Sequence, residues 1–239
     1  MADLATIEAA TLFVLTASGR ILCENDPPRS RGPRMYLGGC ESGNVVRVRH
    51  DVGDETARAI EALVADEPPL RHASSTPVHL DDYLELLARK TPIEEQTAGL
   101  TFVVPDPLEY PHDATLVQSD TPTGDRMLAV LAEQGMPQAL VALGFTELWA
   151  PWCVALHDGV IASVAETVRS SASGIEAGIT TIPAQRRRGF AAAATAGWAA
   201  HPALHGRTRF YSTQRTNVAS QGVARRLGLP FVGTSLRLT

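Results

Sequence analysis

Between residues 179 and 199 the chain reads ITTIPAQRRRGFAAAATAGWA, a β-branched run ending at Pro183, an arginine-rich loop, and a glycine that opens an alanine-rich helix. A strand that passes through a short loop into a helix commits this half of the chain to a mixed α/β architecture. The junction is also chemically specific. The first turn of a helix leaves backbone N–H groups without internal partners, and the aligned peptide dipoles place partial positive charge there, so the turn holds phosphate well. Gly189 and Ala191 let such a group approach the main chain, while Arg186, Arg187 and Arg188 supply charge-assisted hydrogen bonds. Taken alone, three arginines in a solvated turn would read the same. The loop lacks both the G-x-x-x-x-G-K-[ST] of a P-loop and the G-x-G-x-x-G of a dinucleotide fold.

The flanking segments extend the alternation. A strand over 115–118 precedes two short helices, one holding Met127, Leu128 and Leu131, the other with Pro137 at its first turn. Strands over 154–157 and 160–168 are joined by Asp158-Gly159, a dipeptide suited to a tight hairpin turn. A strand over 175–182 follows, then a helix over 189–200, a strand over 208–212, a helix over 218–227 and a last strand over 231–238. Upstream, 11–16 and 20–23 read as a hairpin, and a second spans 34–50. Asp54 is placed to cap a helix whose inward face is Ala57, Ile60 and Val64, stopped by Pro68 and Pro69. Leu80, Leu84 and Leu87 repeat at helical spacing, and 100–104 reads as one more strand. The stretch VPDPLEYPHD, 104–113, holds three prolines and marks the expected boundary between regions 1–112 and 113–239. The expected fold class is α/β (α+β), a mixed sheet with flanking helices plus an amino-terminal α+β domain.

Composition narrows the partners. At 239 residues, 44% apolar and 20% charged, the chain is long enough to bury a core without staples. Acids outnumber bases 26 to 21, for a net charge of −5, which gives no global electrostatic case for nucleic acid or an anionic membrane. Of the bases only Lys90 is lysine, a skew that points to a GC-rich coding sequence. No apolar run approaches the ~18 residues of a membrane span. The amino terminus carries Asp3 and Glu8 where a secretion signal would be basic or apolar, so the expected location is cytoplasmic. Cys23, Cys40 and Cys153 fit neither a disulfide framework nor a zinc spacing, and no metal is expected. His201 and His205 have an i, i+4 spacing, but Pro202 interrupts it and they read as loop residues.

Arg186 to Ala191, following a strand, resembles the [Q/R]-x-x-G-x-[G/A] acetyl-CoA loop of the GNAT acetyltransferase superfamily. A second match agrees in order and spacing: Asn217-Val218-Ala219-Ser220, then VARRLGL from Val223 to Leu229, resembles the family's asparagine-led helix with its Leu-Gly end. The resemblance spans about residues 114–239, and extends more weakly to a bacterial subset with an extra amino-terminal region.

The resemblance implies a GNAT-like sheet in which the strand over 175–182 splays from the strand over 208–212, opening a slot for the pantetheine arm of acetyl-CoA, the expected cosubstrate. It implies cofactor contacts at Thr181, Ile182, Arg186, Arg187, Arg188, Gly189, Phe190, Ala191, Asn217 and Ser220, with a main-chain N–H near Thr181 or Ile182 polarising the thioester carbonyl. An amine then attacks directly, without a covalent enzyme intermediate, and needs a base. Alternation places Glu176 on the same strand face as Gly178, Thr180 and Ile182, which makes it the first candidate, with Glu166 on the neighbouring strand second. Solvated carboxylates at strand ends remain the simpler reading of both. Many relatives place a tyrosine seven residues after the asparagine, where it protonates the departing thiolate; here that residue is Ala224. Ser220, Tyr211 or water are the substitutes, and helix capping alone would also account for Asn217 and Ser220.

The expected activity is transfer of an acetyl group from acetyl-CoA to a primary amine, on a small molecule or a peptide. Two alternatives stay open: an acyl-CoA-binding protein with little or no turnover, and an interaction module using the arginine loop as a basic patch. Whether a second copy of the chain is a partner is also open.

Overall fold

The computed structural model describes residues 3–239. Asp3 accepts the Thr6 amide at 2.8 Å and so caps α1 (Leu4–Leu12), which runs directly into β1 (Phe13–Leu15). The strand expected from Thr11 therefore begins two residues later, because Thr11 and Leu12 still belong to the helix. β1 and β2 (Ile21–Glu24) form a separate antiparallel hairpin. β3 (Met35–Cys40) and β4 (Gly43–Val48) form a second hairpin, followed by α2 (Asp54–Ala65) and α3 (Leu80–Ala88). Gly53, not Asp54, takes the cap position of α2; Asp54 and Glu55 lie in its first turn, where their charge opposes the helix dipole.

β5 (Gln96–Val103) precedes the proline-rich stretch and β6 (Thr115–Gln118) follows it. Then come α4 (Pro122–Gln134), α5 (Gln138–Val141), β7 (Trp152–His157), β8 (Val160–Ser170) and β9 (Gly174–Thr181). Pro137 caps α5 from just outside it. The β7–β8 turn has left-handed Asp158 and Gly159, φ 51° and 75°, as a two-residue hairpin loop demands. The chain ends with α6 (Phe190–Ala199), β10 (Thr208–Gln214), α7 (Val218–Arg226) and β11 (Phe231–Leu238).

Nine strands make one mixed sheet in the order β4-β3-β11-β5-β10-β9-β8-β7-β6. Within it only β9 and β10 are parallel. The sheet runs through the division expected near residue 112, since β5, from the amino-terminal half, lies between β10 and β11. The proline-rich stretch packs down as a strap: Leu108 and Tyr110 lie on the core under α6, and Asp106 pairs with buried Arg209 at 2.6 Å.

On one side of the sheet α6 covers Cys153, Ala165, Ile175 and Ala177 with a run of alanines and buried Trp198, and α7 adds Ala224 and Leu227 to the same cluster. Small alanines explain the choice: a helix buried on nearly all sides must come close to its sheet. On the other side α1 crosses β9, and Val117, Leu140, Trp152 and Val164 form a core beneath α4 and α5. Among the described residues no helix is long and apolar enough to cross a membrane.

Candidate active site

The parallel pairing of β9 and β10 stops short. It covers Gly174↔Thr208, Ile175↔Arg209 and Glu176↔Phe210, and then the strands part while β10 stays paired with β5 out to Gln214↔Gly99. Residues 174–177 are buried, whereas Gly178 to Thr181 are partly exposed along the gap. Alternation decides which groups face it. The Ile182 amide donates to the Ala162 carbonyl of the adjoining strand at 3.0 Å, so Ile182 and its even-numbered neighbours face β8. The main-chain groups of Ile179 and Thr181 therefore face the slot. Of the two expected backbone donors, Thr181 faces the slot, whereas the Ile182 N–H is committed to Ala162; the main chain of Ile179 faces the slot as well.

At the far end of the slot lies the arginine loop. Gly189, at the cap position of α6, has φ +91°, a left-handed conformation that a side chain would strain. A β-carbon there would meet the Tyr110 hydroxyl at 2.9 Å and Arg226 Nη1 at 3.3 Å. Among the described residues the amides of 187 to 192 donate to no main-chain or side-chain acceptor, whereas the Ala193 amide closes the first helical bond onto Gly189. The expected anion site thus has a row of free donors. Arg186 Nε reaches the Thr181 carbonyl at 3.4 Å, tying loop to slot. Arg188 donates to Gln185 and to His157 Nε2, each at 2.7 Å, and lies over the Phe190 ring. Arg187, exposed and left-handed at φ 65°, makes no hydrogen bond among the described residues. Phe190 is buried and anchors the loop, while Ala191 leaves the first turn open.

α7 flanks the slot from the α6 side. Asn217 caps it by accepting the Ser220 amide at 3.0 Å, so the capping role is realised. The Ser220 hydroxyl meets the Tyr211 hydroxyl at 2.8 Å, and burial pushes the Tyr211 phenol up from its ordinary value. Ala224 is fully buried.

The other side of the sheet carries the carboxylates. Glu176 is buried, and its Oε2 accepts from Arg169 at 2.7 Å; Arg169 also lies 3.3 Å from Glu24 and from Asp26. A bulge between Thr167 and Arg169 on β8 turns Arg169 onto Glu176, and Val168 packs against Gly178 where a side chain would collide. Glu166, opposite Gly178, is also buried; its Oε2 accepts the Trp149 amide at 2.9 Å, and burial pushes its carboxyl up to about 7. It lies toward α4 and α5, apart from Glu176.

A cavity of about 750 Å³ opens on this side, and Glu176, Arg169, Glu24, Arg237, Ser212 and Glu8 all line it. The Ser212 hydroxyl is buried without a partner. Glu8, from α1, is buried and accepts from Thr101 Oγ1 at 2.5 Å; burial pushes its carboxyl up to about 7. Ser212, Glu8, Tyr110 and Arg226 are absent from the sequence-based set. Only Glu8 left a signal: it sits on the Ala5, Ala9, Leu12 stripe of its helix, an acid at a core position.

The remaining polar candidates are structural. His201 is buried, with Nε2 3.1 Å from the Ser119 hydroxyl and Nδ1 accepting the Ala203 amide, and Pro202–Leu204 is a single 3₁₀ turn. Among the described residues no cluster of His, Cys, Asp or Glu could hold a metal. Burial pushes the Cys153 thiol up to about 12, which removes it as a nucleophile.

Residues 152–234 match the family model described as GNAT acetyltransferase. Among solved structures, the chain is similar to a GCN5-related N-acetyltransferase from Kribbella flavida, at 21% identity and a TM-score of 0.42, covering 67% of this chain and 63% of that one. It is also similar to an acetyltransferase from the GNAT family from Colwellia psychrerythraea, at 15% identity and a TM-score of 0.41, covering 85% and 81%. A GCN5-related N-acetyltransferase-like protein from Streptococcus suis gives 15% identity and a TM-score of 0.43, covering 87% and 84%. The match thus spans less than two thirds of the Kribbella protein. No curated protein matches the chain.

Proposed function

The carboxy-terminal part of this chain, residues 152–234, is a GNAT acetyltransferase domain, and from that premise we propose that the protein moves an acetyl group from acetyl-CoA to a primary amine by direct attack. The observation that carries this reading is the divergence of β9 from β10 after Glu176↔Phe210, next to a loop with free amides.

The loop fits the doubly charged linker of coenzyme A. The amides of 187 to 192 and the cationic ends of Arg187 and Arg226 would hold the diphosphate, with Gly189 leaving room for it. The main-chain edges of Ile179 and Thr181 would bind the pantetheine amides as a further strand pairs with a sheet. Their N–H groups are the donors available to a thioester oxygen as it gains charge, and such fixed donors act without reorganisation. Tyr211, whose hydroxyl meets that of Ser220 at 2.8 Å, would protonate the thiolate in place of the tyrosine missing at Ala224. Glu176, ion-paired with Arg169, would add negative charge to the side from which the acceptor's ammonium arrives.

The test is a free-thiol release assay with acetyl-CoA and a panel of small amines and peptides, run beside Gly189→Glu. Release that depends on the amine, and calorimetric acetyl-CoA binding lost in the variant, is the expected result. Acetyl-CoA binding without release on any amine would favour the non-catalytic reading that Ala224 supports. Unchanged affinity in Gly189→Glu would remove the loop as the binding site.

A further inference from the structure

We propose that Glu8, from the amino-terminal helix, is the group that takes the proton from the acceptor amine, so that α1 completes the active site of the carboxy-terminal domain. This rests on the acyl-transfer reading above.

The geometry places Glu8 at the closed end of the slot. Its Oε1 accepts from Thr101 Oγ1 at 2.5 Å. Thr101 on β5 lies directly opposite Ser212 on β10. Side chains in such a pair stand on one side of the sheet with Cβ atoms about 5 Å apart. Ser212 in turn borders the gap where β10 leaves β9, two residues past the last parallel pair, and its hydroxyl is buried with no partner among the described residues. Glu8 and Ser212 line the same cavity, which continues to solvent and gives an amine its way in.

The neighbouring charges separate Glu8 from Glu176. The charged and titratable groups that act on Glu8 are Glu176, Tyr36 and Arg237, with Arg47 beside Tyr36 and Arg169, Glu24 and Asp26 around Glu176. Arg169 is taken by Glu176, Glu24 and Asp26, and Arg237 by Glu24 at 2.9 Å. Among the described residues Glu8 has no cationic partner within salt-bridge distance; the Thr101 hydroxyl donates to it at 2.5 Å and the Tyr36 phenol lies beside it. Burial of this carboxyl outweighs the hydrogen bonds it accepts and the charge of Arg237 nearby, which raises its basicity toward neutral pH. Glu176, by contrast, is clamped by the Arg169 guanidinium at 2.7 Å.

The step balances. Glu8 takes one proton from the incoming ammonium, freeing the nitrogen lone pair. That pair forms the C–N bond to the acyl carbon, and the C–S bond breaks with its electrons on sulfur. The second nitrogen proton, released as the amide forms, ends on the thiolate sulfur, which leaves as the free thiol, and Glu8 returns its proton to water through the cavity.

The experiment measures thiol release with acetyl-CoA and an accepted amine from pH 5 to 9 for wild type, Glu8→Gln, Glu8→Asp and Thr101→Val, with acetyl-CoA affinity by calorimetry on each. Wild type is expected to lose kcat as pH falls through about 7. Glu8→Gln should lower kcat at least 100-fold and abolish that limb at unchanged acetyl-CoA affinity, while Glu8→Asp keeps the limb. Thr101→Val, which removes the hydrogen bond that favours the ionised form, should move the limb to higher pH. An unchanged profile in Glu8→Gln and Thr101→Val, with turnover intact, overturns the proposal and leaves the acyl-transfer reading standing. No turnover with any amine defeats that reading, and this proposal with it.

Discussion

Glu176 and Arg169 face each other across the β8 bulge as a buried ion pair, Oε2 to Nη1 at 2.7 Å, and Arg169 holds Glu24 and Asp26 at the same time. One guanidinium therefore compensates several carboxylates on the α1 side of the sheet. Removing one partner of a buried pair leaves the other charge uncompensated, at a cost of about 3–5 kcal/mol. Arg169→Met should approach that loss in urea unfolding. Glu176→Gln should cost less, because Glu24 and Asp26 remain to compensate Arg169. Equal losses would show that the cluster does not share its charge in this way.

Gly189→Ala combines a left-handed backbone with a collision at the Tyr110 hydroxyl. Backbone strain of this kind costs about 1–3 kcal/mol. The variant should melt earlier and bind acetyl-CoA at least tenfold more weakly by calorimetry. Arg226→Ala, which leaves the backbone alone, should weaken binding by about tenfold as one charge-assisted hydrogen bond is lost. Unchanged affinity in Arg226→Ala would place the diphosphate away from α7.

Glu166 and Glu8 both have folded-state values near 7 against an ordinary 4.5, in each case because burial disfavours the charged form. Between those values the folded protein binds more protons than the unfolded chain, so stability is greatest at the acid end and falls as pH rises through the window. Each group can contribute up to about 3 kcal/mol to that decline, less where the site relaxes. Denaturation of Glu166→Gln at pH 5 and pH 8 should show a smaller drop than wild type, with the variant relatively more stable at pH 8. An identical drop would mean that Glu166 does not titrate in this range.

Tyr211 presents the one phenol whose hydroxyl is held at 2.8 Å by Ser220 beside the slot. If it protonates the leaving thiolate, Tyr211→Phe should lower kcat by about 100-fold with acetyl-CoA affinity unchanged. A parallel series of acyl thioesters with more acidic thiols should recover much of the loss, since a better leaving group needs less help. Loss of affinity instead of kcat would make Tyr211 a packing residue.

The sequence by itself determined what is local. The helix and strand pattern from β6 onward, the Asp158-Gly159 hairpin, the loop from Arg186 to Ala191 and the cap at Asn217 all depend on propensity, turn chemistry and spacing within a few residues. Glu176's side of its strand followed from alternation alone. Tertiary structure decided what depends on distant neighbours: that β5 inserts between β10 and β11, that the Ile182 amide is spent on Ala162, that Tyr110 in the proline-rich strap reaches Gly189, and that Arg169 pairs with Glu176 while Glu8, some 170 residues upstream of it, has no cation within salt-bridge distance among the described residues. Basicity and access are set by which charges and side chains come within a few ångströms of a group, and strand pairing between remote segments, which carries no local signature, fixes those distances.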